Sequence, residues 1–153
     1  MTVRRQVVAT IDRILAAVAI AAASGCGASP ITSTRIERAI GITFANLVHL
    51  QVSWMGLPAI APVEFGATAN CRKVPASGAA PANTGAGDWI CTIQWNGPGR
   101  RVLRDTYDLF VTTDGCYTAT VEGESLARPT LTTADGREVK NLLYVFEGCF
   151  DTT

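Results

Sequence analysis

Five cysteines in a chain of 153 residues constrain this fold more than any other feature. Residues 88–96, DWICTIQWN, alternate with the period of an extended strand. That period sends Trp89, Cys91, Ile93 and Trp95 to one face, and Ile90, Thr92 and Gln94 to the other. Residues 67–74 make a second such segment, with Ala67, Ala69 and Cys71 on one small apolar face. Facing residues in a non-hydrogen-bonded antiparallel pair have Cα atoms ~4.5 Å apart, within the ~4.4–6.8 Å that disulfides accept. Cys71 and Cys91 are therefore expected to bridge adjacent strands on the core side. Three cysteines remain, and an odd thiol in an oxidised protein needs an explanation.

The N-terminus supplies one. Arg4, Arg5 and Arg13 precede the apolar run ILAAVAIAAA at residues 14–23. A cationic flank ahead of a short apolar segment is the polarity of a secretory signal peptide. As a helix the run would span ~15 Å, half of the ~30 Å hydrocarbon core. A spanning helix would have to draw Asp12 and Arg13 into lipid, at a cost of several kcal/mol. Residues 1–25 are thus expected to be removed on export.

Ala23-Ser24-Gly25-Cys26 resembles the lipobox of bacterial lipoproteins, in which small residues precede the cysteine that receives diacylglycerol. Ala23 stands where that family usually carries Leu or another large aliphatic residue. The resemblance implies a palmitate-bearing lipid on Cys26 and a short tether within residues 26–31. Cleavage by a general signal peptidase would instead give a secreted, unanchored domain. Arg4-Arg5 leaves the general and the twin-arginine export routes both open.

With Cys26 acylated, Cys71, Cys91, Cys116 and Cys149 form an even set in an oxidising compartment. Pairing Cys71 with Cys91 leaves Cys116–Cys149, which ties the C-terminus back to the sheet. In the chain-entropy account each loop contributes roughly 3–4 kcal/mol. His49 is the single histidine, and the cysteine spacings fit no zinc pattern, so neither a metal nor another cofactor is expected.

Residues 32–54 carry Ile36, Ile40, Phe44, Leu47, Val48 and Gln51 at helical steps, which predicts a helix over at least 33–48. Thr34-Arg35-Ile36-Glu37 fits a capping box at its start. Val48, Leu50, Val52 and Trp54 also alternate, so a strand is the rival reading there. Gly56, Pro58 and Pro62 stop the helix. Strands are predicted at 65–74, 88–96, 102–112 and 116–122, with Tyr107, Leu109 and Val111 sharing a face, as do Tyr117, Ala119 and Val121. Asp114-Gly115 and Asp135-Gly136 are hairpin turns, the latter between Leu131 and Val139. Residues 75–87 read as a loop, and the apolar stretch 141–150 as a buried strand or short helix.

These elements predict a single α+β domain over 32–153. Its helix packs across an antiparallel meander of four to six strands, stapled by disulfides, an order that a cystatin-like arrangement fits. Gly87-Asp88-Trp89-Ile90-Cys91, Asp114-Gly115-Cys116-Tyr117-Thr118-Ala119 and Glu147-Gly148-Cys149-Phe150-Asp151 resemble recurring segments of small lipobox-bearing lipoproteins of high-GC Gram-positive bacteria. The resemblance spans most of the mature chain. It implies the cysteine framework and carries no functional residue with it.

Function is constrained mostly by what is missing. Without the leader, 10 basic and 12 acidic residues remain, too little positive charge for a nucleic-acid binder. His49 has no nucleophile motif beside it, and no G-x-S-x-G exists. Asp105 and Asp108 differ in strand parity, and Glu122 and Glu124 lie at a strand end where solvated charge is expected. Gly97-Pro98-Gly99-Arg100-Arg101, with Arg104, is the only basic cluster and reads as a hairpin loop near anionic lipid headgroups. The sequence thus predicts a non-enzymatic lipoprotein on the outer face of the cytoplasmic membrane, an interaction module for envelope proteins. Carriage of a small apolar or lipid ligand is the alternative, in a pocket between helix and sheet lined by Phe44, Trp54 and Trp95.

Overall fold

A computed structural model of the chain describes residues 30–76, 83–123 and 126–151. The leader, Cys26, most of the tether, positions 77–82 of the expected loop, and Glu124 lie outside the described residues.

The helical periodicity holds to its end: Ser33–Trp54 is one 22-residue helix, α1. Ile36, Ile40 and Phe44 are fully buried and Val48 nearly so, whereas Leu47 is half-buried. Alternation over 48–54 does not produce a strand, because the buried Gln51 fixes the last turns. Its Oε1 accepts from the Leu142 amide at 2.7 Å, so the helix continues to where that partner lies.

The start of α1 corrects the expected capping box. Thr32, not Thr34, is the N-cap, and its hydroxyl accepts from the Arg35 amide at 3.4 Å. Glu37 turns away from the helix end, and its carboxylate accepts from the Cys71 amide at 2.9 Å. That amide belongs to an edge strand and faces away from its neighbour. The buried donor is therefore satisfied by tertiary contact.

Five strands form one antiparallel sheet: β1 (Thr68–Lys73), β2 (Gly87–Asn96), β3 (Val102–Val111), β4 (Cys116–Val121) and β7 (Val145–Cys149). Their spatial order is β1-β2-β3-β4-β7. Two short strands, β5 (Thr130–Thr132) and β6 (Glu138–Lys140), make a separate hairpin in which Leu131 faces Val139. Both Asp-Gly hairpins occur where expected, and the stretch after residue 141 is a turn followed by β7 rather than a helix. The loop expected over 75–87 is fastened at its described end: Gly85 donates to Ile31 O and Ser33 donates to Asn83 O.

Strand parity sorts the sheet into two unlike faces. Trp89, Cys91, Ile93, Tyr107, Leu109, Val111, Tyr117 and Ala119 are all buried under α1. Phe44 sits at the centre, with ring centroids 4.8 Å from Trp95, 6.0 Å from Tyr107 and 6.3 Å from Phe146. Burying such a side chain fully is worth roughly 1.5–3 kcal/mol, so this cluster supplies most of the hydrophobic stabilisation. The other face carries Thr92, Thr106, Asp108, Thr118 and Thr120 and is open to solvent, as one face of an antiparallel sheet can be.

The two bridges are Cys71–Cys91 and Cys116–Cys149, each between residues directly opposite in register. Cα separations of 4.1 and 3.9 Å mark both as non-hydrogen-bonded pairs. They occupy opposite faces. The first lies in the core under α1, and the second lies on the solvent face with Cys149 exposed. Two native disulfides place the chain in an oxidising, extracytoplasmic environment. Among the described residues the core runs from Ile31 to Phe150, and both bridges lie within that range. A chain beginning at Pro30 therefore keeps the whole of this described core and both bridges.

Asn141 is the exception to the apolar reading of 141–150. It is buried, and its Nδ2 donates to Leu126 O at 3.0 Å and Arg128 O at 2.9 Å, while its Oδ1 accepts from the Leu143 amide. This fully used amide pins the crossing from β4 to the small hairpin.

Candidate functional site: an apolar groove at the end of the helix

Past Trp54 the chain runs through Leu57-Pro58-Ala59-Ile60-Ala61-Pro62-Val63, seven apolar residues in succession. Two prolines rule out a continued α-helix, and the segment ends in a short 3₁₀ turn, Pro62–Phe65. Most of the segment is nevertheless exposed: Val63 is 84% accessible, Leu57 55% and Ile60 39%. Hydrogen bonds hold it in one shape. Leu57 donates to Val52 O, Glu64 donates to Ala61 O, and His49 Nδ1 donates to Ile60 O at 2.7 Å. The single histidine of the sequence thus has a structural role, bracing this segment against α1.

The segment forms one wall of an open groove of 780 Å³. Val48 and Val52 of α1 form the floor with Trp95 of β2, and Phe65 closes the inner end. The opposite wall is the β2–β3 hairpin, Gly97 to Arg100. In that hairpin Gly97 donates to Arg101 O at 2.7 Å, and Arg100 is held at φ 59°, a conformation uncommon outside glycine. Arg100 and Glu64 supply the charges at the mouth, and the remaining lining is almost wholly apolar. Drug-sized ligand sites span roughly 300–1,000 Å³ and have this balance of apolar wall and few polar groups.

The expected pocket residues are only partly brought together. Trp95 lines the groove. Phe44 has no exposed surface and supports Trp95 from behind, so it shapes the floor without touching a ligand. Trp54 is 46% exposed and points elsewhere. At 3.6 residues per turn it sits about 200° around the helix from the groove-facing Val52. The groove is therefore at the end of the helix–sheet sandwich rather than inside it. Residues 57–60 and 97–100 were read from sequence only as a helix stop and a hairpin. The one signal for the wall was an apolar run with neither helical nor strand period.

Titratable groups elsewhere do not converge on this groove. Asp105 is buried on the core side of β3 and Asp108 is exposed on the other, as parity required. Asp108 instead meets Glu122 on the solvent face, and sharing a hydrogen bond with it raises the Glu122 carboxyl above its usual range. Sequence parity along one strand could not reveal this cross-strand neighbour. Both side chains are exposed to solvent. Among the described residues no cluster of three or more His, Cys, Asp or Glu side chains could hold a metal ion. No helix among them is long and apolar enough to cross a membrane.

No protein-family model, curated protein or solved structure matches this chain. The groove must be interpreted on its own chemistry.

Proposed function

We propose that the chain is an exported, non-catalytic binding domain. A lipid on Cys26 holds it at the outer face of the cytoplasmic membrane, and a small apolar ligand occupies the groove. The observation carrying this reading is the 780 Å³ groove floored by Val48, Val52 and Trp95. An apolar concavity of that size favours a small ligand over the broad contact of a protein partner. The leader and the lipobox-like Ala23-Ser24-Gly25-Cys26 support the anchor, and two disulfides agree with export.

Intact-mass measurement on protein extracted from native membranes tests the anchor, with loss of residues 1–25 and a diacylglycerol adduct expected. A mature mass lacking that adduct would remove the anchored form and leave the secreted one. Titration of the domain from Pro30 with a naphthalene sulfonate dye tests the groove. Saturable binding should perturb the fluorescence of Trp95. Val52→Trp, which projects an indole into the groove, should weaken it at least ~10-fold, since it occupies volume that a ligand would fill. Equal affinity in that variant would defeat the ligand reading.

A further inference from the structure

The groove is flanked by a surface whose composition differs from the rest of the molecule. Leu57, Ile60 and Val63 project from a hydrogen-bonded segment. Val102, 61% accessible, lies just beyond the hairpin that forms the facing wall. Arg100 and Arg101 are exposed on that same hairpin, and Arg100 takes part in no ion pair among the described residues. Glu64 also lines the groove. Large apolar side chains held outward by a braced backbone, with arginines alongside, match an interfacial lipid contact. The apolar tips enter the acyl boundary and the guanidinium groups meet anionic phosphates.

We propose that this end of the domain docks on an anionic lipid bilayer, with residues 57–63 inserting and Arg100 and Arg101 at the headgroups. Charge complementarity selects this occupant. Paired arginines complement anionic headgroups, and the seven-residue apolar protrusion beside them has the depth of the acyl boundary, so a bilayer uses both at once. The contact shares Leu57, Ile60 and Arg100 with the groove walls but does not involve its floor of Val48, Val52 and Trp95. It lies at the far end of α1 from Ser33, about 33 Å away at 1.5 Å per residue.

The test uses the unlipidated domain from Pro30 and extruded vesicles of phosphatidylcholine with or without 30% phosphatidylglycerol. Co-sedimentation should be strong on the anionic vesicles, weak on the neutral ones, and reduced by salt. Arg100→Gln and Arg101→Gln should each weaken binding about fivefold, from the ~1 kcal/mol that each basic residue contributes at such a surface. Leu57→Asp with Val63→Asp should abolish it, and both positions are exposed enough to leave the fold intact. Phe110→Asp, an equally exposed apolar site on the open sheet face, should change nothing. Failure of the wild-type domain to bind anionic vesicles overturns the proposal, as does an equal loss in the Phe110 variant. Vesicle binding that survives in Val52→Trp while dye binding is lost separates this contact from the groove.

Discussion

Tyr107 donates its phenolic proton to Leu143 O at 2.9 Å from within the core. Burial raises its pKa well above the ordinary value near 10, and the negative charge of Asp105 adds to the effect. Above that ordinary value the unfolded chain loses a proton that the folded chain retains. The folded state then binds more protons, so stability falls as pH rises beyond ~10. Tyr117, buried beside Thr43 with its phenol also raised, contributes in the same sense. Tyr107→Phe should cost ~1 kcal/mol at pH 8 through the lost hydrogen bond. It should also flatten the decline in urea midpoint between pH 9 and pH 11. Parallel declines in wild type and variant would mean that Tyr107 does not govern the alkaline limit. Gly148 in β7 shows the same crowding, since an added Cβ would sit 2.5 Å from the Tyr117 hydroxyl. A strand-interior glycine is a legible sign of close approach, although the sequence does not say what approaches.

The elements themselves were largely readable, because the alternation in 88–96 and 102–111 is governed by one buried face. The pairing of Cys71 with Cys91 followed from that parity. What could not be read were contacts made between elements. Thr34 and Glu37 have the local spacing of a capping box, yet Glu37 reaches a stronger need in the outward amide of Cys71, and the cap falls to Thr32. This predicts an ordering of stabilities in chemical denaturation. Thr32→Ala should cost ~0.5–2 kcal/mol as a lost cap. Glu37→Ala should cost ~1–3 kcal/mol by stranding the edge amide. Thr34→Ala, at an exposed position, should stay within ~0.5 kcal/mol of wild type. A Thr34 variant as unstable as the Thr32 variant would restore the capping box. The groove escaped sequence reading for the same reason. Its walls come from segments 57–60 and 97–100, which meet only because the helix and the β2–β3 hairpin end at the same edge.

At the scale of the molecule, one helix covers one face of the sheet, and among the described residues no second layer covers the opposite face. Stability therefore rests on a single-sided core and on two bridges that differ in access. Domains of this size are stable by about 5–15 kcal/mol, so two loops worth roughly 3–4 kcal/mol each are a large share of the total. Loop length barely separates them, with partners 20 and 33 positions apart in the sequence. Exposure separates them clearly. Cys91 is inaccessible and Cys71 6% exposed beneath α1, while Cys149 lies open on an edge strand. A reductant must reach a sulfur to attack it, so Cys116–Cys149 should open first, by exchange at the native sheet edge. Cys71–Cys91 should open only when the core does. Brief treatment with low phosphine, alkylation and peptide mapping should show labelled Cys116 and Cys149 while Cys71 and Cys91 remain joined. Denaturant should abolish the difference. Equal labelling of all four cysteines in the folded protein would contradict the placement of the bridges on opposite faces, because only a shared environment would make them open together.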